Sequence, residues 1–261
     1  MAFTLALAQC THPADGDVVS LVRRYAQRAA CAGAQLLVFP ESLMTRYEND
    51  LDAFQAKAEP LDGPFSAAVD AIAAEYGLWM VYTVNERNDG GLPFNAAVLV
   101  DDCGRKQGVY RKTHLFDTDA IRESDHMARG SALFEPVQTP FAKIGLAICY
   151  DLRFPEVARH EALAGAQLIL YPAAWVDGPL KVDQWRTLLV ARAIENEVFV
   201  AGLSRVDKGY IGQSAVVDPR GRVIGEGGAS EGLVTARIDT DEIAAVRAAM
   251  PVFDHRRPDL Y

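Results

Sequence analysis

The sequence has few cysteines, and they lie far apart. Among its 261 residues the four are Cys10, Cys31, Cys103 and Cys149, and none forms a CxxC motif or a Cys/His pair at zinc-ligand spacing. This pattern excludes a disulfide framework and a zinc module, because both need cysteines at closer and more regular spacing. We therefore predict a protein without a bound metal that works in a reducing, cytoplasmic compartment.

Positive charge and long apolar runs are also scarce. The chain has 26 Lys and Arg against 35 Asp and Glu, a formal net charge of −9 at pH 7. Such a balance disfavours phosphate backbones and anionic lipid surfaces, so we expect neither nucleic acid nor a membrane as a partner. Every apolar run is shorter than the ~20 residues of a membrane helix. No basic leader precedes the Leu-Ala-Gln-Cys sequence at residues 7–10, so we expect no lipoprotein signal.

Apolar residues are plentiful and make up 50% of the chain. This fraction supports a packed core and excludes a disordered chain. Short apolar runs alternate with helical periodicity, and no linker, repeat or block of charge interrupts them. The alternation predicts one α/β domain over residues 1–261, of which residues 251–261 form an extended tail.

Strands outnumber helices in this pattern. Helices are predicted over 17–31, 65–76, from Pro155 to about 164, 181–196 and 241–250. Strands are predicted over 3–9, 36–39, 79–84, 94–100, 107–111, 134–138, 143–148, 168–171, 198–203, 211–217, 222–225 and 233–238. So many strands with so few helices favour two sheets, each covered by helices on one face.

Three polar residues stand directly after apolar, strand-like runs. They are Glu41 after residues 36–40, Lys112 after 109–111, and Cys149 after 144–148. Each one alone has a structural interpretation, as a helix-start carboxylate, a solvated lysine or a buried thiol. Together they are a proton acceptor, a cation for developing negative charge and a nucleophile, which is what acyl transfer needs. Strand ends are also where α/β proteins keep their sites.

The residues after Cys149 favour catalysis. The segment 150–156 carries Pro155 and is expected to turn at once into a helix. Backbone N–H groups at a helix start stabilise a thiolate and can bind an oxyanion, so we expect an activated thiol here. A Cys149–His114 pair is an alternative, although papain-like flanking residues are missing.

Three segments resemble the signature blocks of the nitrilase, or carbon-nitrogen hydrolase, superfamily. They are Phe-Pro-Glu at 39–41, Tyr-Arg-Lys-Thr-His-Leu-Phe-Asp at 110–117 and Ile-Cys-Tyr-Asp-Leu-Arg-Phe-Pro-Glu at 148–156, in family order. Residues 191–196 resemble the family's helix after the nucleophile, and 251–261 resemble the tail of Nit-type amidases. The branch most similar is that of deaminated glutathione amidase and omega-amidase.

The resemblance implies an αββα four-layer sandwich, with two mixed sheets covered by helices, and no cofactor. It implies that Glu41 is the base and Cys149 the nucleophile, while Lys112 and the Tyr150 backbone N–H bind the oxyanion. Glu123 resembles the second glutamate of the family. The tail is implied to lie at the interface of a homodimer or higher homo-oligomer.

The implied activity is hydrolysis of a small linear amide to a carboxylic acid and ammonia through a Cys thioester. An N-carbamoyl amino acid amidohydrolase, a nitrilase and a non-catalytic binding member of the same fold are the alternatives. Trp175 and Tyr47 are implied to line the pocket. An anionic substrate needs a local cation, and we consider Lys181, Arg186 and Arg192 for this role.

Overall fold

The computed structural model describes residues 2–14, 16–45 and 51–260. Within them the strands are β1 (Ala2–Gln9), β2 (Leu36–Val38), β3 (Trp79–Glu86), β4 (Phe94–Val100), β5 (Lys106–Arg111), β6 (Val137–Gln138), β7 (Lys143–Leu146), β8 (Leu168–Ala173), β9 (Phe199–Ser204), β10 (Ala215–Val217), β11 (Val223–Glu226) and β12 (Gly232–Asp239). The α-helices are α1 (Val18–Cys31), α2 (Leu51–Ala56), α3 (Pro64–Tyr76), α4 (Pro155–Leu163), α5 (Lys181–Asn196) and α6 (Asp241–Ala249). Short 3₁₀ helices cover Glu123–Asp125 and Cys149–Arg153.

The strands form two mixed sheets of six strands each. The first has the order β12-β1-β2-β3-β4-β5, and the second has the order β11-β10-β9-β8-β7-β6. Each sheet has a parallel centre, β1 to β3 in the first and β7 to β9 in the second, and its other neighbours pair antiparallel. The two sheets therefore have the mixed character that the family resemblance implied.

Strand β1 illustrates how the four layers form. Its side chains alternate between the two faces of the sheet, as the period of a strand requires. Leu5 and Leu7 belong to the apolar core shared with the second sheet, whereas Ala6 and Ala8 belong to a core shared with α1 and α3. Helices α4 and α5 cover the second sheet from its other side. The αββα sandwich is thus confirmed.

Helix α1 follows its sequence pattern closely. Its buried side chains are Val18, Leu21, Val22, Tyr25, Ala26 and Ala29, which lie at the predicted i, i+3, i+4 spacing. The Asp17 side chain accepts a hydrogen bond from the Ser20 N–H and so caps the helix start. The local sequence determines this helix because one apolar stripe faces one sheet.

Several predicted bounds were wrong, for identifiable reasons. The predicted strand 134–138 shrinks to β6, because Pro136 has no N–H for a ladder bond. The strand predicted over 211–217 begins at Ala215, because Gly212 and Gln213 have φ of 63° and 54°, outside the extended region. Helix α2 was not predicted. The tail forms turns at residues 252–255 and 258–260 instead of extending.

The topology brings the ends of four strands to one edge of the sandwich. Strands β2 and β3 are parallel, and two antiparallel steps through β4 return β5 to the same direction. The carboxyl ends of β2 and β5, which precede Glu41 and Lys112, therefore share an edge of the first sheet. In the second sheet β7 and β8 are parallel, and their carboxyl ends precede Cys149 and Ala174.

Candidate active site

The segments at this edge bring Glu41, Lys112 and Cys149 together. The Lys112 ammonium donates to Glu41 Oε1 at 2.8 Å, and both side chains are at least 98% buried. The Cys149 thiol lies close enough to the Glu41 carboxylate for each group to shift the pKa of the other. The three residues predicted from separate strand ends thus form one contact group.

Glu123 also binds Lys112 and so joins this group. Its Oε2 lies 2.9 Å from Lys112 Nζ and accepts from the Phe116 N–H at 2.7 Å. The short 3₁₀ helix Glu123–Asp125 carries this residue. Lys112 therefore sits between two buried carboxylates.

The Glu41 carboxylate has donors on both oxygens. Oε1 accepts from Lys112 and from Asn95 Nδ2, both at 2.8 Å, and Oε2 accepts from the Ala174 N–H at 2.8 Å. Burial by itself raises the pKa of this carboxyl, but the charge and hydrogen bond of Lys112, with the Ala174 N–H, hold the pKa below its ordinary value. Glu41 is therefore ionised at rest and ready to accept a proton.

The pKa of Glu123 shifts in the opposite direction to that of Glu41. Burial raises the pKa of its carboxyl above the ordinary value, and the nearby Glu41 charge adds to this rise, while Lys112 opposes it. Two carboxylates that face one ammonium carry one excess negative charge, so a proton is held most readily at Glu123.

The Cys149 thiol is neutral at rest, which corrects the sequence expectation. Burial raises its pKa well above the ordinary value, and the Glu41 charge raises it further. The expected helix start is a separate 3₁₀ helix of five residues, and α4 begins only at Pro155. The short helix does not offset the loss of solvation, so deprotonation of the thiol needs a base.

The backbone at Cys149 is strained. Cys149 has φ of +46°, in the left-handed region that residues with a side chain seldom adopt. Such strain costs about 1–3 kcal/mol and persists only where the surroundings impose it. Ser42, directly after Glu41, has φ of +58°. Strain beside both groups indicates that the fold fixes their side chains for a purpose other than stability.

Asp151 ties the lysine segment to the cysteine segment. Its buried carboxylate accepts from the Tyr110 hydroxyl and the Ile148 N–H, each at 2.8 Å. It also accepts from the Thr113 hydroxyl at 3.3 Å, and His114 Nδ1 lies 2.7 Å from Oδ1. His114 is thereby bound to Asp151 and its ring stacks on Phe154, so the geometry does not favour a Cys149–His114 pair.

A cavity of about 710 Å³ opens over the thiol. Its walls include the predicted pocket residue Trp175 and the ring of Tyr150, which lies edge-on to Phe116 at 5.1 Å. The Tyr150 N–H belongs to the first turn of the 3₁₀ helix, where amides lack partners within the helix. Tyr47 lies outside the described residues.

The cavity contains a pair of cations near the thiol. Arg153 lies 4.8 Å over the Trp175 ring, and Lys181 lies 5.5 Å over Phe116. Burial and the charge of Arg153 lower the pKa of Lys181. Within the described part of the chain, neither cation forms an ion pair with a carboxylate. This pair offers a site for an anionic group of a ligand.

The other two predicted cations lie elsewhere. Arg186 pairs with Glu226 on the surface. Arg192 is buried and donates to the Leu152 carbonyl, at 3.1 Å from Nε and 2.9 Å from Nη2, so it supports the 3₁₀ helix from behind. Among the three candidates, only Lys181 lines the cavity.

Sequence reasoning missed Asn95, Arg153 and the Ala174 N–H. Asn95 had a usable signal, because an amide inside the apolar run 94–100 must be hydrogen-bonded when that strand is buried. Arg153 lies within segment 148–156, for which the family resemblance implies roles only at Cys149 and Tyr150. The backbone amide has no sequence signal, since every residue except proline has one.

The residues with a possible metal-ligand arrangement lie away from the cavity. Among the described residues, Asp101, Asp102 and Cys103 group their ligand atoms within 4.8 Å, on the turn between β4 and β5. The Asp101 side chain there accepts hydrogen bonds from the Cys103 and Arg105 N–H groups, which is turn chemistry. None of the helices in the described ranges has the length and apolarity needed to cross a bilayer.

An αββα sandwich with a thiol, a carboxylate and a lysine at one cavity defines a thiol hydrolase. A sequence model described as carbon-nitrogen hydrolase matches residues 4–248, so the chain belongs to the carbon-nitrogen hydrolase family. This confirms the resemblance of the three sequence blocks.

Similar proteins carry amidase names. The chain is 38% identical over 252 residues to the deaminated glutathione amidase of Rattus norvegicus, with 90% of this chain and 76% of that protein covered. It is 33% identical over 273 residues to omega-amidase NIT2 of Homo sapiens, with 100% and 97% covered. The structure matches a variant of the amidase from Nesterenkonia sp. AN1 that carries the acetamide moiety of fluoroacetamide on its active-site cysteine. That match has a TM-score of 0.85 and 28% identity, with 99% of this chain and 95% of that chain covered.

Proposed function

We propose that the protein hydrolyses small linear amides of carboxylic acids through a thioester on Cys149. Relatives named deaminated glutathione amidase and omega-amidase support an amidase activity. The observation that carries this proposal is the contact group of Glu41, Lys112 and Cys149 beneath a cavity. A neutral thiol beside an ionised, buried carboxylate is a nucleophile paired with its base. Membership of the carbon-nitrogen hydrolase family supports the same chemistry.

Acylation begins with transfer of the thiol proton to Glu41. The sulfur attacks the amide carbon, and the carbonyl π electrons move to the oxygen. Lys112 and the Tyr150 N–H stabilise the resulting oxyanion, and their effect is large because the site is buried. When the oxyanion collapses, the C–N bond breaks and the nitrogen takes the proton from Glu41. A primary amide releases ammonia, and a secondary amide releases an amine.

Deacylation uses the same residues. Glu41, ionised again, takes a proton from water, and the hydroxyl oxygen attacks the thioester carbon. The C–S bond breaks, Glu41 returns the proton to the sulfur, and the acid leaves. Glu123 orients Lys112 for both steps, because its carboxylate binds the ammonium together with Glu41.

The cation pair Arg153 and Lys181 supports an amide whose acid part carries a second carboxylate. Charge-assisted hydrogen bonds to such a group are about twice as strong as neutral ones. The neighbouring rings of Tyr150 and Trp175 provide apolar contact for the methylene groups between the carboxylate and the amide. A monoamide of a dicarboxylic acid satisfies both features.

The test is a substrate panel with product detection. It contains deaminated glutathione, 2-oxoglutaramate, an N-carbamoyl amino acid and a short nitrile, with ammonia, amine and acid all measured. Cys149→Ala is the blank. We expect the first two substrates to be hydrolysed and the signal to vanish in the blank. Hydrolysis of only the carbamoyl compound or the nitrile reassigns the activity to that branch, and silence with all substrates in a folded protein supports the binding alternative.

A matched pair of substrates tests the cation site. Succinamate and butanamide have similar lengths but differ in the terminal carboxylate. Arg153→Met and Lys181→Met are each expected to raise KM for succinamate roughly tenfold and to leave butanamide within about twofold. Arg186→Met, on the same helix as Lys181 but paired with Glu226, is the control. Equal effects on both substrates contradict the assignment.

We also propose that the enzyme is a cytoplasmic homodimer with its tail at the interface. All four cysteines are free, which supports a reducing compartment. Phe253 of the tail contacts the guanidinium groups of Arg159 and Arg247, so the tail is anchored to α4 and α6. Light scattering of the whole chain and of a chain ending at Met250 tests the dimer. A mass of one chain for the full-length protein rejects it.

A further inference from the structure

Asn95 is a buried amide for which the proposed mechanism has no role. It is 1% exposed and lies near the start of β4, whose next five residues are all apolar and buried. An amide buried without partners costs several kcal/mol, so its hydrogen bonds must be identified. Those bonds lead directly to the base and the lysine.

One residue contacts both groups. The Asn95 side-chain Nδ2 donates to Glu41 Oε1 at 2.8 Å, and its backbone carbonyl accepts from the Lys112 N–H at 2.9 Å. The first contact orients the carboxylate, and the second fixes the backbone from which the lysine side chain extends. Strand β4 is therefore the common frame of the base and the lysine.

The hydrogen-bond donors around Glu41 leave one acceptor site on its carboxylate for the thiol proton. Each carboxylate oxygen offers two lone-pair sites. Asn95 and Lys112 occupy both sites on Oε1, and the Ala174 N–H occupies one on Oε2. The remaining site on Oε2 is the one at which a proton can arrive without displacing a donor. Asn95 thus helps to direct Oε2 to the thiol.

The chemistry of the amide suits this position. Among the described residues, the ionisable groups whose interaction with Glu41 shifts a pKa are Lys112, Glu123, Cys149 and Tyr210. A second cation here would overstabilise the carboxylate as an ion, and an acid would repel it. A neutral donor favours the ionised form modestly and adds no charge.

We propose that Asn95 is a positioning residue that holds Glu41 ionised and aimed at Cys149. The inference rests on the proposed function, because it needs Glu41 as the base. It assigns Asn95 no contact with substrate.

The experiment measures the rate of Cys149 alkylation by iodoacetamide against pH, on folded protein, in Asn95→Leu and Asn95→Asp. Alkylation requires proton transfer to Glu41, so the rate falls at low pH where Glu41 is protonated. We call this fall in rate the acid limb of the pH profile. Loss of the donor in Asn95→Leu is expected to move the midpoint of the acid limb to a higher pH by roughly one unit. The near-isosteric Asn95→Asp is expected to move it further, because a carboxylate beside Glu41 repels its charge.

Asn85 supplies the matched control. It pairs with Asn95 in the β3–β4 register and is equally buried, but its amide donates to Thr45 Oγ1 and the Phe54 carbonyl. Asn85→Leu and Asn85→Asp are expected to change stability without moving the acid limb. An unmoved limb in both Asn95 variants, or an equal shift in the Asn85 variants, overturns the proposal.

Alkylation needs no substrate, so the two proposals fail separately. A limb that moves as expected, in a protein that hydrolyses nothing in the panel, supports Asn95 and rejects the amidase assignment. Hydrolysis of a panel amide with an unmoved acid limb supports the amidase assignment and rejects the role of Asn95. If Glu41→Gln is alkylated at the wild-type rate across the pH range, Glu41 is not the base and the role of Asn95 is rejected with it.

Discussion

Replacement of Lys112 is expected to destabilise the fold as well as to stop catalysis. Its ammonium is completely buried between Glu41 and Glu123, at 2.8 Å and 2.9 Å. Lys112→Met keeps the length of the side chain and removes the charge, so it limits any cavity. Two buried carboxylates then lose the cation that they share. Removal of one partner from a buried ion pair costs about 3–5 kcal/mol.

The stability lost in Lys112→Met is expected to increase with pH. In the wild type the pKa of Glu41 is lowered, so its stabilising contribution is present above its ordinary pKa and disappears as pH falls through the folded-state value. Without Lys112 only neutral donors oppose the effect of burial, so both carboxyls are expected to have raised pKa values and each to destabilise the fold at neutral pH. The difference in unfolding free energy is therefore largest near about pH 8 and shrinks towards about pH 5.

Urea unfolding of both proteins across this pH range is the assay. The double variant Lys112→Met/Glu123→Gln removes one of the two orphaned charges, so we expect it to recover roughly half of the loss at the higher pH. A stability difference that stays constant with pH would refute the reasoning, since packing differences do not titrate. A full recovery by Glu123→Gln would assign the whole penalty to that carboxylate.

Three further predictions concern the thiol, Asp151 and the strand that precedes the thiol. Cys149→Ala should abolish product release yet change the unfolding free energy by less than about 2 kcal/mol, because it removes one sulfur atom and its interaction with Glu41. A larger loss of stability in urea unfolding contradicts this. Asp151→Asn should lower kcat with KM nearly unchanged, because Asp151 joins the Lys112 and Cys149 segments and so aligns catalytic groups and not substrate. A change confined to KM rejects this role of Asp151. Gly145→Ala should destabilise the protein by about 2 kcal/mol or more, because a Cβ there would lie 2.1 Å from Glu161 Oε2, whereas Gly228→Ala, with open space around it, should be nearly neutral in the same assay.

Much of the fold was predictable because its signals are local. Helix α1 and strand β4 appear where the sequence pattern placed them, since one face or both faces of each are apolar. Helix α2 escaped prediction, as a short helix of six residues gives little periodicity. The shortened strand at residues 211–217 depends on positive φ at Gln213, a residue that gives no such signal.

The sequence by itself determined which residues follow the strands and to which family the chain belongs. Glu41, Lys112 and Cys149 each end an apolar run, and the strand directions then bring them to one edge. Only the tertiary structure decided how these groups are protonated. The thiol is neutral because burial and the Glu41 charge raise its pKa. The carboxylate is ionised because Lys112 and the Ala174 N–H, which follows a strand of the second sheet, lower its pKa. Solvation and Coulomb energy depend on distances between atoms far apart in the chain, which no local pattern contains.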